Sequence, residues 1–221
     1  MKTKQIKLIA IVATSLASTA LFTGCATSGY QQADKTGAGI AQFREEIAKT
    51  KLAVDDTVTA LGQVAVTANT NPRNAFKQFS KSLANLESTS AKAKRRGEDM
   101  KAQGQAYFAD WEKQLAQLKN QDIKNLAVQQ KAKLQTTFDS IRNVAAPLKA
   151  QFDPWLSDLQ DLQKYLSTDL SISGVDAAKG MFAKTQTEGL EVQKSMDALV
   201  AELNTVAAAL TTANVPPPAK K

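Results

Sequence analysis

Apolar and small residues recur three and four positions apart through most of this chain, the stripe of a helix that packs against other helices. From Ile40 the positions seven apart are Ile40, Ile47, Val54, Leu61 and Ala68, with Phe43 and Val64 on the adjoining line and Thr50 and Thr57 interrupting it. This predicts a first helix over 40–68. Asn69 to Asn71 read as a turn, and Asn71-Pro72 supplies an N-cap followed by proline at the first helical position, where its missing N–H is harmless. A second helix is then expected from Pro72 to Lys119, roughly 70 Å long at 1.5 Å per residue. Its lines are Phe76, Leu83, Ser90, Gly97, Gly104, Trp111 and Leu118, and Phe79, Leu86, Ala93, Met100 and Tyr107. Large residues hold both ends of this stripe and small ones its middle, which predicts a close helix approach there.

Asn120-Gln121-Asp122 breaks the pattern and offers Asp122 as the next cap. A third helix follows with Ile123, Leu126, Leu134, Phe138, Ile141, Val144, Leu148 and Phe152 on its buried side. Pro147 is expected to kink it, because an interior proline deletes a hydrogen bond and crowds the preceding turn. Asp153-Pro154 reads as a fresh cap, after which Trp155, Leu159, Leu162, Leu166 and Leu170 continue the apolar side. Ser171 to Gly174 form a loop with Ser173 as cap. The last helix carries Val175, Phe182, Gly189, Met196, Leu203 and Leu210, with Ala178, Val192, Leu199 and Val206 beside them. No segment alternates with the two-residue period of a strand, and the breaks are short. The fold class is therefore all-α: an elongated antiparallel coiled-coil-like bundle of about four helices over 40–213. Spacing leaves open whether the seam closes within one chain or recruits a second copy.

The two ends are of a different kind. Lys2, Lys4 and Lys7 precede an uncharged apolar run from Leu8 to Phe22, too short and wrongly flanked for a standard spanning helix, so residues 1–24 read as a signal peptide. Leu21-Phe22-Thr23-Gly24-Cys25 resembles the lipobox of bacterial lipoprotein precursors. That resemblance implies cleavage between Gly24 and Cys25, acylation of Cys25 with palmitate-type chains and attachment to the cell envelope. Ala26 rather than aspartate follows the cysteine, which implies the outer membrane, facing the periplasm, in a host with two membranes. Residues 25–39 are small, polar and glycine-containing, and read as a flexible tether. Val215-Pro216-Pro217-Pro218 and Lys220-Lys221 make 214–221 an extended tail.

Composition then narrows the chemistry. The leader holds three of the 28 basic residues and none of the 21 acidic ones, so the processed chain stands near +4 rather than +7. That balance makes no case for nucleic acid. Cys25 is the single cysteine and there is no histidine, which removes disulfides, cysteine-based metal sites, the commonest general base and the commonest metal ligand. No catalytic residue, metal or cofactor is assigned, and the chain is expected not to be an enzyme.

Three groups invite a functional role. Lys92, Lys94, Arg95 and Arg96 form the densest basic run, a contact patch for headgroups, acidic polymer or an acidic partner, or a solvated helix face diluted by Glu98 and Asp99. Asp110 and Glu112 flank Trp111, but neighbours on a helix do not face each other and make a poor acid–base pair. Asp158 and Asp161 share a face, yet two carboxylates fall short of the six to eight oxygens that calcium takes.

Tyr107-Phe108-Ala109-Asp110-Trp111-Glu112, the break at Asn120, and Phe152-Asp153-Pro154-Trp155-Leu156 leading to Leu166 and Leu170 resemble a bacterial domain-of-unknown-function family of exported coiled-coil proteins, often lipoproteins. The likeness spans about Phe76 to Leu210. It implies an all-helical envelope protein and carries over no catalytic residue. Two expectations follow. One is a lipid-anchored structural, spacer or docking protein whose helical faces hold another envelope protein or cell-wall polymer. The other is a carrier bundle for an apolar or anionic molecule, lodged where Ser90, Ala93, Gly97 and Gly104 leave space.

Overall fold

The structure is a computed structural model and describes residues 29–213. Five helices follow one another: α1 (Gly29–Val66), α2 (Pro72–Gln117), α3 (Gln121–Thr168), α4 (Ile172–Ala177) and α5 (Lys179–Ala213). There is no strand among the described residues. The four long helices run antiparallel in chain order; α1 packs on α2 and α5, and α3 packs on α5 and α2, which closes the ring of a four-helix bundle.

Most positions read as seams form the core, while Phe76, Trp111 and Phe138 are half-buried and Leu118 is exposed. Ile40, Ile47, Val54, Leu61 and Ala68 are buried on α1 and its end, as are Phe79, Leu86, Ala93, Met100 and Tyr107 on α2. Phe182, Val192, Met196, Leu199, Leu203, Val206 and Leu210 do the same on α5. Each fully buried Leu or Phe contributes about 1.5–3 kcal/mol over an exposed one. The threonines that interrupt the α1 seam are buried too, and they cost little. Thr36, Thr50 and Thr57 each donate their hydroxyl to the carbonyl four residues back (Gln32, Glu46 and Ala53), so none of the three hydroxyls is orphaned.

Several boundaries differ from the sequence expectations. Helix α1 starts at Gly29, not Ile40, so 29–39 is helical rather than a tether. Ala33 lies seven before Ile40 and Thr36 seven before Phe43, and both are buried; their small size hides the stripe from a reading based on large residues. Gly39 lies against Gln103 of α2, where a β-carbon would clash.

Helix α3 neither breaks nor restarts at Asp153-Pro154 but continues unbroken through Pro147 and Pro154. Both prolines are exposed, as are Asn143 and Ala150, whose carbonyls lose a donor and face water. Asp153 pairs with Lys149 at 2.9 Å instead of capping.

The caps at two other helices also shift. Asn120, rather than Asp122, caps α3 by accepting from the N–H groups of Asp122 and Ile123 at 2.9 and 3.1 Å. Ser171, rather than Ser173, caps α4 by accepting from Gly174 N–H at 3.1 Å. Ile123 and Leu126, expected on the buried side, are exposed, because the described parts of α1 and α5 end short of their level. The leader 1–24, the tether residues 25–28 and the tail 214–221 lie outside the described residues.

Candidate functional site

Of the four contacts around the ring, the α2–α3 seam is the sparsest although these are the two longest helices. Midway along it α2 presents Ser90, Ala93 and Gly97, too small to span to α3, and the helices leave a cleft of about 930 Å³. Phe43 and Ile47 of α1 with Met196 and Leu199 of α5 make its floor. Ile141, Ala145, Leu148 and Phe152 make the α3 wall.

Both ends of the cleft are tied. At one end Phe138 sits on Gly104 and stacks edge-on against Phe108, with centroids 5.8 Å apart. At the other, Gln160 donates to Glu87 across the two helices at 2.7 Å.

The rim is charged. Lys149 is held by Asp153, whose hydrogen bond and charge push the ammonium above its ordinary range. Lys94, Lys101 and Arg142 also border the opening, and none of them has an ion pair among the described residues; the same holds for Glu98 and Asp139. Chemically the site offers an apolar surface under a rim of cations and carboxylates. In shape and polarity such a surface is of the kind that ligand pockets have.

The residues singled out from the sequence distribute unevenly over this geometry. Of Lys92, Lys94, Arg95 and Arg96, only Lys94 borders the cleft; Lys92 and Arg95 are exposed, and Arg96 lies 3.6 Å from Asp99. Ser90, Ala93 and Gly97 line the cleft as the carrier expectation requires, but Gly104 does not, since the tip of the Phe138 ring occupies the space above it. Asp110 and Glu112 point to separate lysines, Lys113 and Lys131. Trp111 is half-buried edge-on against Tyr107, with centroids 5.6 Å apart. Asp158 pairs with Lys184 at 2.5 Å, and no cluster of three or more metal-ligating side chains occurs among the described residues. Gly24 and Cys25 lie outside the described residues.

The α3 half of the cleft went unseen in the sequence. Its apolar positions look like ordinary seam, and only their placement opposite the small stretch of α2 makes them a wall.

Fold and cleft together define an antiparallel four-helix-bundle protein with an opening along one seam. The chain belongs to the family described as "Protein of unknown function (DUF2959)", whose model matches residues 22–210. No curated protein and no solved structure gives a significant match. No described helix is long and apolar enough to cross a membrane.

Proposed function

We propose that this protein is a non-enzymatic lipoprotein of the cell envelope whose α2–α3 cleft carries an amphiphile with a long apolar chain and an anionic head. The observation that carries this reading is the cleft itself: apolar within, about 930 Å³, with a rim where Lys94, Lys101 and Arg142, which have no ion pair among the described residues, alternate with the carboxylates of Glu98 and Asp139 and can meet an anionic head. That volume lies in the usual range of ligand pockets. A buried chain of about ten methylenes gains some 8 kcal/mol before ordering costs, and those costs leave the net affinity weaker than the micromolar level which that figure alone would give. The lipid anchor rests on Cys25 after Leu21-Phe22-Thr23-Gly24, and the family match includes Phe22 to Cys25. In a host with two membranes the anchor would sit in the outer membrane, with the bundle facing the periplasm.

The test is titration of the purified protein with a fluorescent long-chain carboxylate. Saturable binding to the wild type, abolished by Ser90→Phe and weakened about tenfold by Arg142→Glu, supports the carrier reading. Equal binding by wild type and Ser90→Phe, with circular dichroism unchanged, overturns it. Labelling cells with palmitate tests the anchor separately: the wild type takes up label and Cys25→Ser does not.

A second reading, a structural spacer or docking module for an envelope protein or cell-wall polymer, is favoured by the shape. Helices of 46 and 48 residues make a rod roughly 70 Å long. Crosslinking in living cells separates the two, because a spacer yields a macromolecular partner that depends on Cys25 and is indifferent to Ser90→Phe.

A further inference from the structure

The bundle is uneven at one end. Gly39 faces Gln103 and Phe43 faces Gly97, so with both helices rising about 1.5 Å per residue the first residue of α1 is level with about Lys113 of α2. Glu202 meets Ser140 and Ser195 meets Gln151, which by the same reckoning puts the end of α5 level with about Gln129 to Lys133 of α3. Among the described residues, the α2–α3 hairpin continues alone beyond those levels. There Leu118, Ile123, Leu126 and Val128 are 37%, 53%, 62% and 47% exposed.

Two further facts say what covers this tip. Cys25 precedes Gly29 by four residues, a reach of at most about 14 Å, and the overhang from the level of Lys113 to the turn at 118–120 is about 8–10 Å. An acyl anchor on Cys25 therefore brings the bilayer surface to the height of the hairpin tip. Charge agrees: between 113 and 133 five lysines stand against the single Asp122. Lys113 and Lys131 are paired to Asp110 and Glu112, while Lys119, Lys124 and Lys133 have no ion pair among the described residues. Apolar side chains ringed by unpaired lysines suit an anionic lipid surface.

We propose that the α2–α3 tip is a second membrane contact, with Leu118, Ile123 and Leu126 in the headgroup–acyl boundary and Lys119 and Lys124 on anionic headgroups. The placement rests on the lipid-anchor reading above. A rod held at two points stands in a fixed orientation, with the cleft a set height above the bilayer instead of swinging on a tether.

The experiment uses the full-length gene with Leu126→Cys, an environment-sensitive fluorophore on that thiol, and vesicles of phosphatidylcholine with phosphatidylglycerol. Ile172→Cys at the opposite end, also exposed, is the control. The intact mass reports acylation of Cys25 independently of the probe. The expected result is a blue-shifted emission at position 126 that lipid-borne quenchers reduce, little change at 172, and a smaller shift in Lys119→Glu/Lys124→Glu.

A probe that stays in water on acylated, vesicle-bound protein overturns the proposal and leaves the anchor standing. If the mass shows no acyl chain, the anchor reading fails. The tip, probed then in Cys25→Ser/Leu126→Cys so that position 126 carries the only thiol, is still expected to shift on the anionic vesicles, and no shift there overturns it too. Emission already blue-shifted without vesicles means that a second copy or the chain's own tail covers the tip, and overturns it as well.

Discussion

The ring of Phe138 on α3 rests end-on against the backbone of Gly104 on α2, so closely that a β-carbon at 104 would lie 2.2 Å from the ring. This contact closes one end of the cleft and sets the spacing of the two helices where the opening begins. Gly104→Ala gains about 1 kcal/mol of helix propensity but forces the ring back, an overpacking cost of about 1–3 kcal/mol. The net expectation is a melting temperature lowered by a few degrees, recovered in Gly104→Ala/Phe138→Leu. Thermal denaturation of the two variants checks it; a single substitution that raises the melting temperature would contradict the contact.

The seam positions differ from the exposed apolar ones in a way that one helix can demonstrate. Leu203 is 0% and Leu190 58% exposed, both on α5. Leu203→Asp buries an unpaired carboxylate in the core and is expected to cost more than about 4 kcal/mol, unfolding the bundle. Leu190→Asp is expected to stay within about 0.5 kcal/mol of wild type. Urea denaturation followed by circular dichroism distinguishes them.

Much of this fold was legible because large residues mark the seams at intervals of seven, as at Ile40, Ile47, Val54 and Leu61. The start of α1 was hidden because Ala33, Thr36 and Gly39 bury small faces that resemble linker composition. The course of α3 through Pro154 was hidden for a different reason: flanking packing by Leu148, Trp155 and Leu159 holds the helix across the missing hydrogen bond. The exposure of Ile123 and Leu126 depends on where α1 and α5 stop, which no local pattern records. The cleft was half legible. Ser90, Ala93 and Gly97 showed as a small stretch, but the gap belongs to two helices at once.

Trp155 is buried on α3 and donates its indole N–H to the Thr185 carbonyl of α5 at 2.8 Å. The rim of the same indole lies where a β-carbon on Gly189 would make contact at 3.4 Å. Trp155→Phe removes the hydrogen bond and leaves a void, for an expected loss of about 2–4 kcal/mol. Trp111 being half-buried, the variant's remaining fluorescence should also be red-shifted from the wild type. Unfolding curves and emission spectra measure both.

Tyr107 is buried on α2, and burial holds its phenol above the ordinary value. The folded state thus favours the protonated phenol more than the unfolded chain does. Its contribution is complete below the ordinary tyrosine range, near pH 10, and is lost as pH climbs through the raised folded value. Tyr107→Phe is expected to match wild type at neutral pH and to lose less stability at alkaline pH. Melting temperatures recorded on either side of pH 10 provide the comparison.

The cleft can be interrogated without choosing a ligand in advance. Wild-type protein and Ser90→Phe are purified from the native host, extracted with organic solvent and analysed by mass spectrometry for non-covalent compounds. An acyl-chain amphiphile at about one per chain in the wild type, absent from Ser90→Phe, is the predicted result. Extracts in which the two proteins carry the same compounds in the same amounts would contradict a carrier function for the α2–α3 cleft.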